Sequence, residues 1–537
     1  MPAIITDQYR ILNAETFVDS FVGIGESGNN NFYTFLGHPN PQNTEIPNYG
    51  STNWPSLVPD PVDSFSQEDF YYGSMLFLKK VTSNDVRRVI PRKNWQTGTI
   101  YEMYRNNYSA KNDYTPPNLT PNSKSTSLYD SNYYVINSEF RVYICINNGA
   151  GPDNPTGQKS TAEPTHISNA PQIAGNGSDG YLWKYLYTIS PVDIVKFVTT
   201  KYIPLPQVWG DTSTASVKDA AVEGEIQTVV ITNGGSSVQV DGASDNEVSI
   251  SGIKLVGDGD GGSITVRVSK GEVKNIESVV GGSGYTYASV KWVNGTYDGD
   301  KELNVGSDVS FEVVIPPKGG HGADIYRELG GFRVMLYSKF DNNIDDAPDY
   351  VIGNDFSRVG LVRNPLQFSG TGLLNNTTAT NLSALKLKPA EGSSISLSDV
   401  TYPTNGLITQ TVGVGSTAVG YVASWDSTTG VLKYYQPVGF STLSTYSYKQ
   451  LDFDSSSVNT TINSSALAES LVVDTTFNGD SAVIATGKNQ SLGQTFVNGK
   501  ANPDVKKYSG DIIYVDNRAP ITRTDSQKEE VKIVIEF

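Results

Sequence analysis

The sequence is poor in the residues that most often build disulfides and metal sites. Its 537 residues include one cysteine, three histidines and four methionines. The single cysteine, Cys145, excludes an internal disulfide framework, and its apolar neighbours predict a core thiol in a strand rather than a reactive one. The histidines at 38, 166 and 321 lie in Gly/Pro-rich loops without partners at metal-ligand spacing. We therefore expect no metal and no cofactor.

Catalytic signatures are missing as well. The sequence contains no GxSxG motif, no HExxH motif and no GxxxxGK motif followed by Ser or Thr. No nucleophile with a positioned base can be identified from the sequence. Paired carboxylates for sugar hydrolysis stay open, because the fold and not the chain sets their separation.

Long apolar runs and basic clusters are also absent. The N-terminus MPAIITDQYRILNAETF has no charged start followed by an apolar block, and no apolar run is long enough for a membrane span. We expect a protein made in a cytosol, without an export signal or a membrane partner. The formal charge of −16 would repel a phosphate backbone, so nucleic-acid binding is not expected. The short basic strip VRRVIPRKNW (86–95) is more typical of an interface or of ion pairs.

The residues that are abundant favour β structure. Tyr (31), Gly (51) and Pro (27) are plentiful, together with Ser, Thr and Asn, a balance typical of short strands, turns and ordered loops. One helix is predicted at ILNAETFVDSFVGI (11–24), where apolar residues recur at helical spacing. We predict a mainly β, multi-domain fold with a β-sandwich core, a short N-terminal helix and inserted β-rich domains.

Changes in composition and a repeated segment along the chain predict where the insertions lie. The segment IQTVVITNGGSSV (226–238) recurs as IESVVGGSGYTYASV (276–290), which predicts a duplicated β unit. A second Ser/Thr/Gly-rich stretch follows later. The predicted divisions are a core in three parts (1–216, 321–366 and the C-terminal strands 506–537), an inserted duplicated β domain (217–320) and a Ser/Thr/Gly-rich β insertion (367–505).

Two glycine-rich loops resemble ligand sites. PPKGGHGAD (316–324) has Lys318 before its glycines and no Ser or Thr after them, so we interpret it as a corner in which His321 and Asp324 cap or pair locally. GDGDGG (257–262) has two carboxylates at calcium-loop spacing, but the rest of that pattern fails, which favours a tight β-turn.

Several separated blocks resemble one known family. They are VIPRKNWQTGTIY (89–101), GNGSDGYLWKYLYTISP (175–191) with KYIPLP (201–206), and SGDIIYVDNRAPITRTDSQKEEVKIVIEF (509–537), supported by NFYTFLGHPNP (31–41) and FSRVGLVRNPL (356–366). In this order they resemble the dimeric baseplate wedge subunit of contractile-tailed phages related to the T-even group. The chain departs from shorter family members by its two insertions.

The resemblance implies a structural protein without catalysis. Its expected location is the tail baseplate of a virion, assembled in the host cytoplasm. The implied partners are a second copy of the chain, other baseplate wedge proteins, and peripheral short-fibre or spike proteins. Three sets of residues are candidate interface or structural anchors: Pro91, Arg92 and Trp95; Tyr181, Trp183 and Tyr185; Asn517, Arg518 and Pro520.

An alternative function comes from the aromatic residues of GYLWKYLYTIS (180–190). Tyr181, Trp183, Tyr185 and Tyr187 alternate along a predicted strand and would share one face. Such a face is more often packed under another element or subunit, but it also suits a platform on which sugars stack. A tail-associated carbohydrate-binding or depolymerising protein is therefore the second hypothesis.

Overall fold

We describe the protein from a computed structural model of the whole chain. The structure describes residues 5–22, 30–38, 71–108, 125, 127–244, 247–341, 355–436, 451–455, 460–464, 470–484, 486–524 and 527–537. The chain forms two compact units. The first comprises Met1–Thr16, Arg87–Met335 and Val534–Phe537, and the second comprises Phe17–Val86 and Leu336–Ile533.

Helices are short except at the N-terminus. They are α1 (Asp7–Val22), α2 (Pro191–Phe197), α3 (Ala215–Asp219) and α4 (Ile325–Leu329), with helical residues at 71–74 and 3-10 turns at Ser83–Asp85, Leu128–Asp130 and Leu397–Asp399. The predicted N-terminal helix is confirmed, although it begins four residues earlier than the periodicity suggested. Ile11 and Ala14 are its buried residues in the first unit.

Strands make up most of the remaining regular structure, which confirms the mainly β prediction. In the first half of the chain they are β1 (Phe32–Gly37), β2 (Met75–Val81), β3 (Val86–Pro91), β4 (Tyr134–Ile136), β5 (Arg141–Asn148), β6 (Gln172–Ile173), β7 (Tyr181–Thr188), β8 (Tyr202–Pro204), β9 (Val229–Ser236), β10 (Gln239–Val240), β11 (Val248–Gly257), β12 (Ser263–Ser269) and β13 (Glu272–Val280).

Eighteen further strands follow. They are β14 (Ala288–Val290), β15 (Gly295–Tyr297), β16 (Lys301–Asn304), β17 (Ser307–Val313), β18 (Arg333–Phe340), β19 (Asp355–Arg363), β20 (Thr378–Thr380), β21 (Ser383–Lys388), β22 (Leu407–Gly413), β23 (Ser416–Asp426), β24 (Val431–Tyr435), β25 (Thr461–Ser464), β26 (Leu471–Val473), β27 (Gly479–Val483), β28 (Asn489–Phe496), β29 (Lys500–Ala501), β30 (Asp511–Thr522) and β31 (Glu529–Glu536).

The first unit contains a four-stranded sheet of order β4-β5-β7-β6. Its central strands β5 and β7 are antiparallel, with Cys145 opposite Trp183 and Tyr143 opposite Tyr185. Aromatic and aliphatic residues of these strands form one large buried cluster. This sheet therefore supplies the principal core of the first unit.

Residues 217–320, the segment predicted to be an insertion, form smaller sheets with a buried cluster of their own. Their orders are β13-β12-β11-β14, β10-β16-β15 and β17-β9. Buried and partly buried residues alternate strictly along β12, as expected for a strand with one face on a core. The two similar sequence segments differ in structure: 226–238 contains the continuous strand β9, whereas 276–290 contains the end of β13, a loop and β14.

In the second unit, a five-stranded antiparallel sheet has the order β20-β2-β1-β19-β30. Every residue of the central strand β1 is buried. Tyr33 and Phe35 belong to one buried cluster, and Leu36 belongs to another. Because both faces of β1 are covered, its sequence shows no alternation of apolar and polar residues.

A closed β-barrel occupies much of the Ser/Thr/Gly-rich segment of the second unit. Its strands follow the order β24-β23-β22-β25-β26-β21, and β21 pairs back with β24, so the ring has no open end. β29 adds to β21 outside this ring. The buried cluster within the segment includes Leu385, Ile408, Val422 and Leu432. Closure pairs the strand edges, which protects them from pairing with other chains.

A further four-stranded sheet has the order β31-β18-β3-β8. In the first unit, the Arg333 guanidinium and the Glu536 carboxylate join the start of β18 to the end of β31, with Nε and Oε2 2.8 Å apart. β3 pairs with β8 in antiparallel register, with Val89 opposite Pro204. Strands distant in the sequence therefore meet in this sheet.

The apolar barrel interior predicts that two valines of the hairpin β22–β23 contribute differently to the free energy of unfolding. Val422 is fully buried, whereas Val414 at the hairpin tip is fully exposed. Val422→Ala should lower the free energy of unfolding by about 2 kcal/mol, because it removes two buried methyl carbons and leaves a void. Val414→Ala should change it by less than about 0.5 kcal/mol. Urea unfolding followed by Trp fluorescence measures both, and equal effects would contradict an apolar barrel interior.

Candidate functional site

The aromatic face of β7 is part of the core. Tyr181 and Trp183 are completely buried, and their rings stack with centroids 5.3 Å apart and planes 12° apart. Tyr187 is buried and Tyr185 is partly buried. The Tyr181 hydroxyl accepts a hydrogen bond from the Tyr101 backbone N–H at 2.8 Å. The interpretation of this face as an exposed sugar platform is therefore wrong, and the packed interpretation holds for this anchor.

The opposite side of β7 contains a residue whose importance the sequence analysis missed. Lys184 is 1% exposed, and its ammonium Nζ donates to the Asn169 carbonyl at 2.7 Å. Burial lowers the pKa of Lys184, while the carboxylates of Glu328 and Glu225 act in the opposite direction. A lysine between Trp183 and Tyr185, in an otherwise apolar strand, was the signal available in the sequence.

The anchor at Pro91, Arg92 and Trp95 is an internal corner of the first unit. The Arg92 guanidinium donates to the Thr199 carbonyl at 3.1 Å. The Pro91 carbonyl accepts from the Tyr134 hydroxyl at 2.6 Å, and the Trp95 indole N–H donates to Ser160 Oγ at 3.1 Å. These contacts fix where the chain leaves β3.

The basic strip that contains this anchor is also partnered within the first unit. The Arg87 guanidinium pairs with the Asp193 carboxylate at 3.0 Å, and both side chains are largely buried. The Arg88 guanidinium lies over the Tyr326 ring. Burial lowers the pKa of Lys93 to about 8. The strip is therefore occupied by an internal ion pair and by cation–π contacts, which supports the ion-pair interpretation of the sequence.

The third anchor, Asn517, Arg518 and Pro520, is part of a strand. These residues lie inside β30, where Asn517 is opposite Arg358 and Ile521 is opposite Phe356. Three residues of β30 thus oppose one residue of β19, which makes this segment a β-bulge. A bulge on a strand at the sheet edge tolerates Pro520, since proline has no N–H to donate.

Hydrogen bonds and charge hold the bulge in the second unit. Arg358 is almost completely buried, and its Nε donates to Asn517 Oδ1 at 3.1 Å. Arg518 is 66% exposed and pairs with Asp516 at 2.6 Å. The side chain of Pro520 lies outside the described residues. Of this anchor, Arg518 is the residue whose position suits contact with another molecule.

The PPKGGHGAD stretch is a structural corner, as the sequence predicted. Asp324 caps α4, because its carboxylate accepts from the backbone N–H groups of Tyr326 and Arg327. His321 is buried, and its Nδ1 lies 2.6 Å from Glu328 Oε1. The second oxygen of Glu328 accepts from the Gly322 N–H at 2.7 Å. One buried carboxylate thus holds both the loop and the helix.

Glycine is required within this corner. Gly319, Gly320 and Gly322 have φ of 87°, 90° and 93°, a region that other residues rarely adopt. A Cβ on Gly320 would lie 2.2 Å from the Val222 carbonyl oxygen. The indole N–H of Trp209 donates to the Gly322 carbonyl at 2.9 Å. The corner therefore packs tightly against the segment that leads into 217–320.

The GDGDGG loop is a hydrogen-bonded turn. Asp258 accepts from the backbone N–H groups of Thr286 and Tyr287, and from the Thr286 hydroxyl. These hydrogen bonds lower the pKa of Asp258 to about 2. Asp260 forms an antiparallel bridge with Ser283. This geometry supports the turn interpretation of the sequence.

The described residues contain neither a metal-binding cluster nor a membrane-spanning helix. In that part of the chain, no group of three or more His, Cys, Asp and Glu side chains is arranged to hold a metal ion. No helix there is both long and apolar enough to cross a lipid bilayer. Comparison with known proteins gave no match to a family model and no significant match to a curated protein.

The environment of Cys145 predicts an unreactive thiol. The residue is completely buried, and burial raises the pKa of the thiol well above its ordinary value. The thiolate is the reactive form, so little of it is present at about pH 8. Native protein should release no thionitrobenzoate from Ellman's reagent. Protein unfolded in guanidinium should release one equivalent per chain, and release from the native protein would contradict the burial.

The Glu328 carboxylate predicts a stability loss on substitution. Glu328→Gln keeps the shape but replaces the carboxylate by a neutral amide with one acceptor oxygen, which weakens the buried hydrogen bonds to His321 and Gly322. The free energy of unfolding should fall by about 1–3 kcal/mol. The matched control is Glu302→Gln, since Glu302 is exposed on β16. Denaturant titration measures both variants, and an unchanged midpoint for Glu328→Gln would show that the corner does not depend on this carboxylate.

Proposed function

We propose that the protein is a structural component of the baseplate wedge of a contractile phage tail. Its role is to link neighbouring wedge proteins during assembly and to take part in the rearrangement of the baseplate on host attachment. The observation that carries the proposal is where the family-like blocks lie. VIPRKNW ends β3, KYIPLP contains β8 and QKEEVKIVIEF contains β31, and these strands belong to one sheet with β18.

The segments without a counterpart in shorter family members lie apart from that sheet. Residues 217–320 form three small sheets with their own buried cluster. Residues 367–505 contain the closed barrel, which also has its own cluster. A shared sheet with additions that fold around separate cores is what an enlarged member of a structural family would contain.

The three anchors act in this proposal as scaffold rather than as contact surface. Trp183, Arg92 and Asn517 each pack or hydrogen-bond within their own unit. Such internal fixation suits a protein whose work is mechanical, because rigid elements transmit displacement between partners. A baseplate that rearranges also needs interfaces of different strength, so that some persist while others break.

The proposed partners follow from the family resemblance. They are a second copy of the chain, other baseplate wedge proteins, and peripheral short-fibre or spike proteins. The proposed place is the virion tail baseplate, after assembly in the host cytoplasm. The alternative is a carbohydrate-binding or depolymerising tail protein. It was based on an exposed aromatic face on β7, but Tyr181 and Trp183 of that face are buried.

Electron microscopy of virions tests the proposal. Antibody raised against the purified chain should label the baseplate in negative stain, and label on the capsid or along the tail tube would overturn the proposal. The control is the same antibody absorbed with the purified chain, which should remove the label. Light scattering on the isolated chain should give the mass of a dimer, and a trimer would favour a fibre or depolymerase instead.

A further inference from the structure

A cleft of about 450 Å³ lies within the first unit, between the sheet that contains β5 and β7 and the segment 226–315, which we call the arm. Leu182 of β7 lines the cleft on the side of the sheet, and Ile276 and Val279 of β13 line it on the side of the arm. The space leaves room for the arm to approach β7. Such an approach would remove apolar surface from water, which is favourable.

The strand β9 joins the arm to the core of the sheet. Its successive residues face two different cores. Val230 belongs to the buried cluster of the sheet, whereas Val229 and Ile231 belong to the buried cluster of the arm. Just beyond them, the hydroxyls of Thr232 and Ser310 bond to each other at the surface, with their oxygens 2.7 Å apart. Along β9, the arm is therefore attached to the core of the sheet through a short base that ends near Val230.

An ion pair lies at the end of this base. Glu312 is opposite Val230 in the register of β17 and β9. The Glu312 carboxylate accepts from the Arg105 guanidinium at 2.7 Å and from the Asn107 amide at 3.2 Å. The side chains of Arg105 and Glu312 are 9% and 18% exposed. Because both are largely buried, their attraction is screened less than that of a surface ion pair.

The ion pair and the cleft lie on opposite sides of β5. β7, which lines the cleft, pairs with β5 along one edge. On the other edge, the backbone N–H of Tyr104, the neighbour of Arg105, donates to the Cys145 carbonyl at 2.8 Å. Between the two edges, the Asn147 amide of β5 donates to Thr228 Oγ1 at 2.9 Å. A tilt of the arm about this central contact would bring β13 towards β7 and stretch the ion pair.

We propose that the arm tilts about the contact between Asn147 and Thr228, and that the ion pair of Arg105 and Glu312 holds the cleft open. Loss of the ion pair lets β13 approach β7 and close the cleft. Hinged closure over a cleft is a common conformational change, in which a few residues at the ends of elements form the hinge. The inference goes beyond the proposed place in a baseplate and does not depend on it.

Distance measurement by double electron–electron resonance on the full chain tests the proposal. Nitroxide labels are attached at Gln172→Cys and Asn275→Cys, two exposed positions next to lining residues on the two sides of the cleft. The native Cys145 is completely buried and stays unlabelled. Glu312→Gln removes the charge that Arg105 binds, so the mean distance between the labels should shorten. An unchanged or longer distance in Glu312→Gln would overturn the proposal.

Further variants separate closure of the cleft from a general loosening of the arm. Glu302→Gln, a matched change at an exposed position of β16, should leave the distance as it is. Ser278→Trp, added to Glu312→Gln, places a large side chain in the cleft, because Ser278 lines it. This double variant should restore the longer distance. A distance that stays short with the tryptophan present would contradict closure of the cleft.

A milder variant covers the case in which Glu312→Gln does not fold. Asn107→Ala removes only the second donor to the Glu312 carboxylate and leaves the ion pair in place. It should add a population of molecules with the shorter distance. Thermal unfolding of each variant identifies those that fold, and the absence of a shorter distance in every folded variant that weakens the contacts of Glu312 counts against the proposal.

Discussion

The buried carboxylate of Glu328 fixes the corner that follows residues 217–320. One oxygen binds His321 and the other binds Gly322, so the loop is held to α4 from within. Lys184 on β7 also lies close enough for this carboxylate to affect its pKa. The corner and the central sheet of the first unit therefore lie around the same buried carboxylate.

Local patterns in the sequence predicted the local elements well. The periodicity of 11–24 indicated α1, and alternation indicated strands such as β12, because both signals depend on which residues face a core. Closure of the barrel could not be predicted in this way. It depends on β21 pairing with both β24 and β26, which are distant in the chain. The Ser/Thr/Gly-rich composition of the segment does not indicate which strands pair.

The candidate site, too, could be predicted only in part from local sequence patterns. Alternation placed Tyr181 and Trp183 on one face, but only the position of Tyr101 above them shows that the face is covered. Asn-Arg-Ala-Pro is typical of a turn, yet here it is a bulge, since an edge strand allows proline without a lost hydrogen bond.

The contact between Gly320 and Val222 also bears on how such a chain could evolve. Residues near the two ends of the segment 217–320 touch there, with no room for a side chain between them. A domain whose ends meet can be gained or lost in a single genetic event, because its removal leaves a gap that a short join closes without displacing the flanking strands.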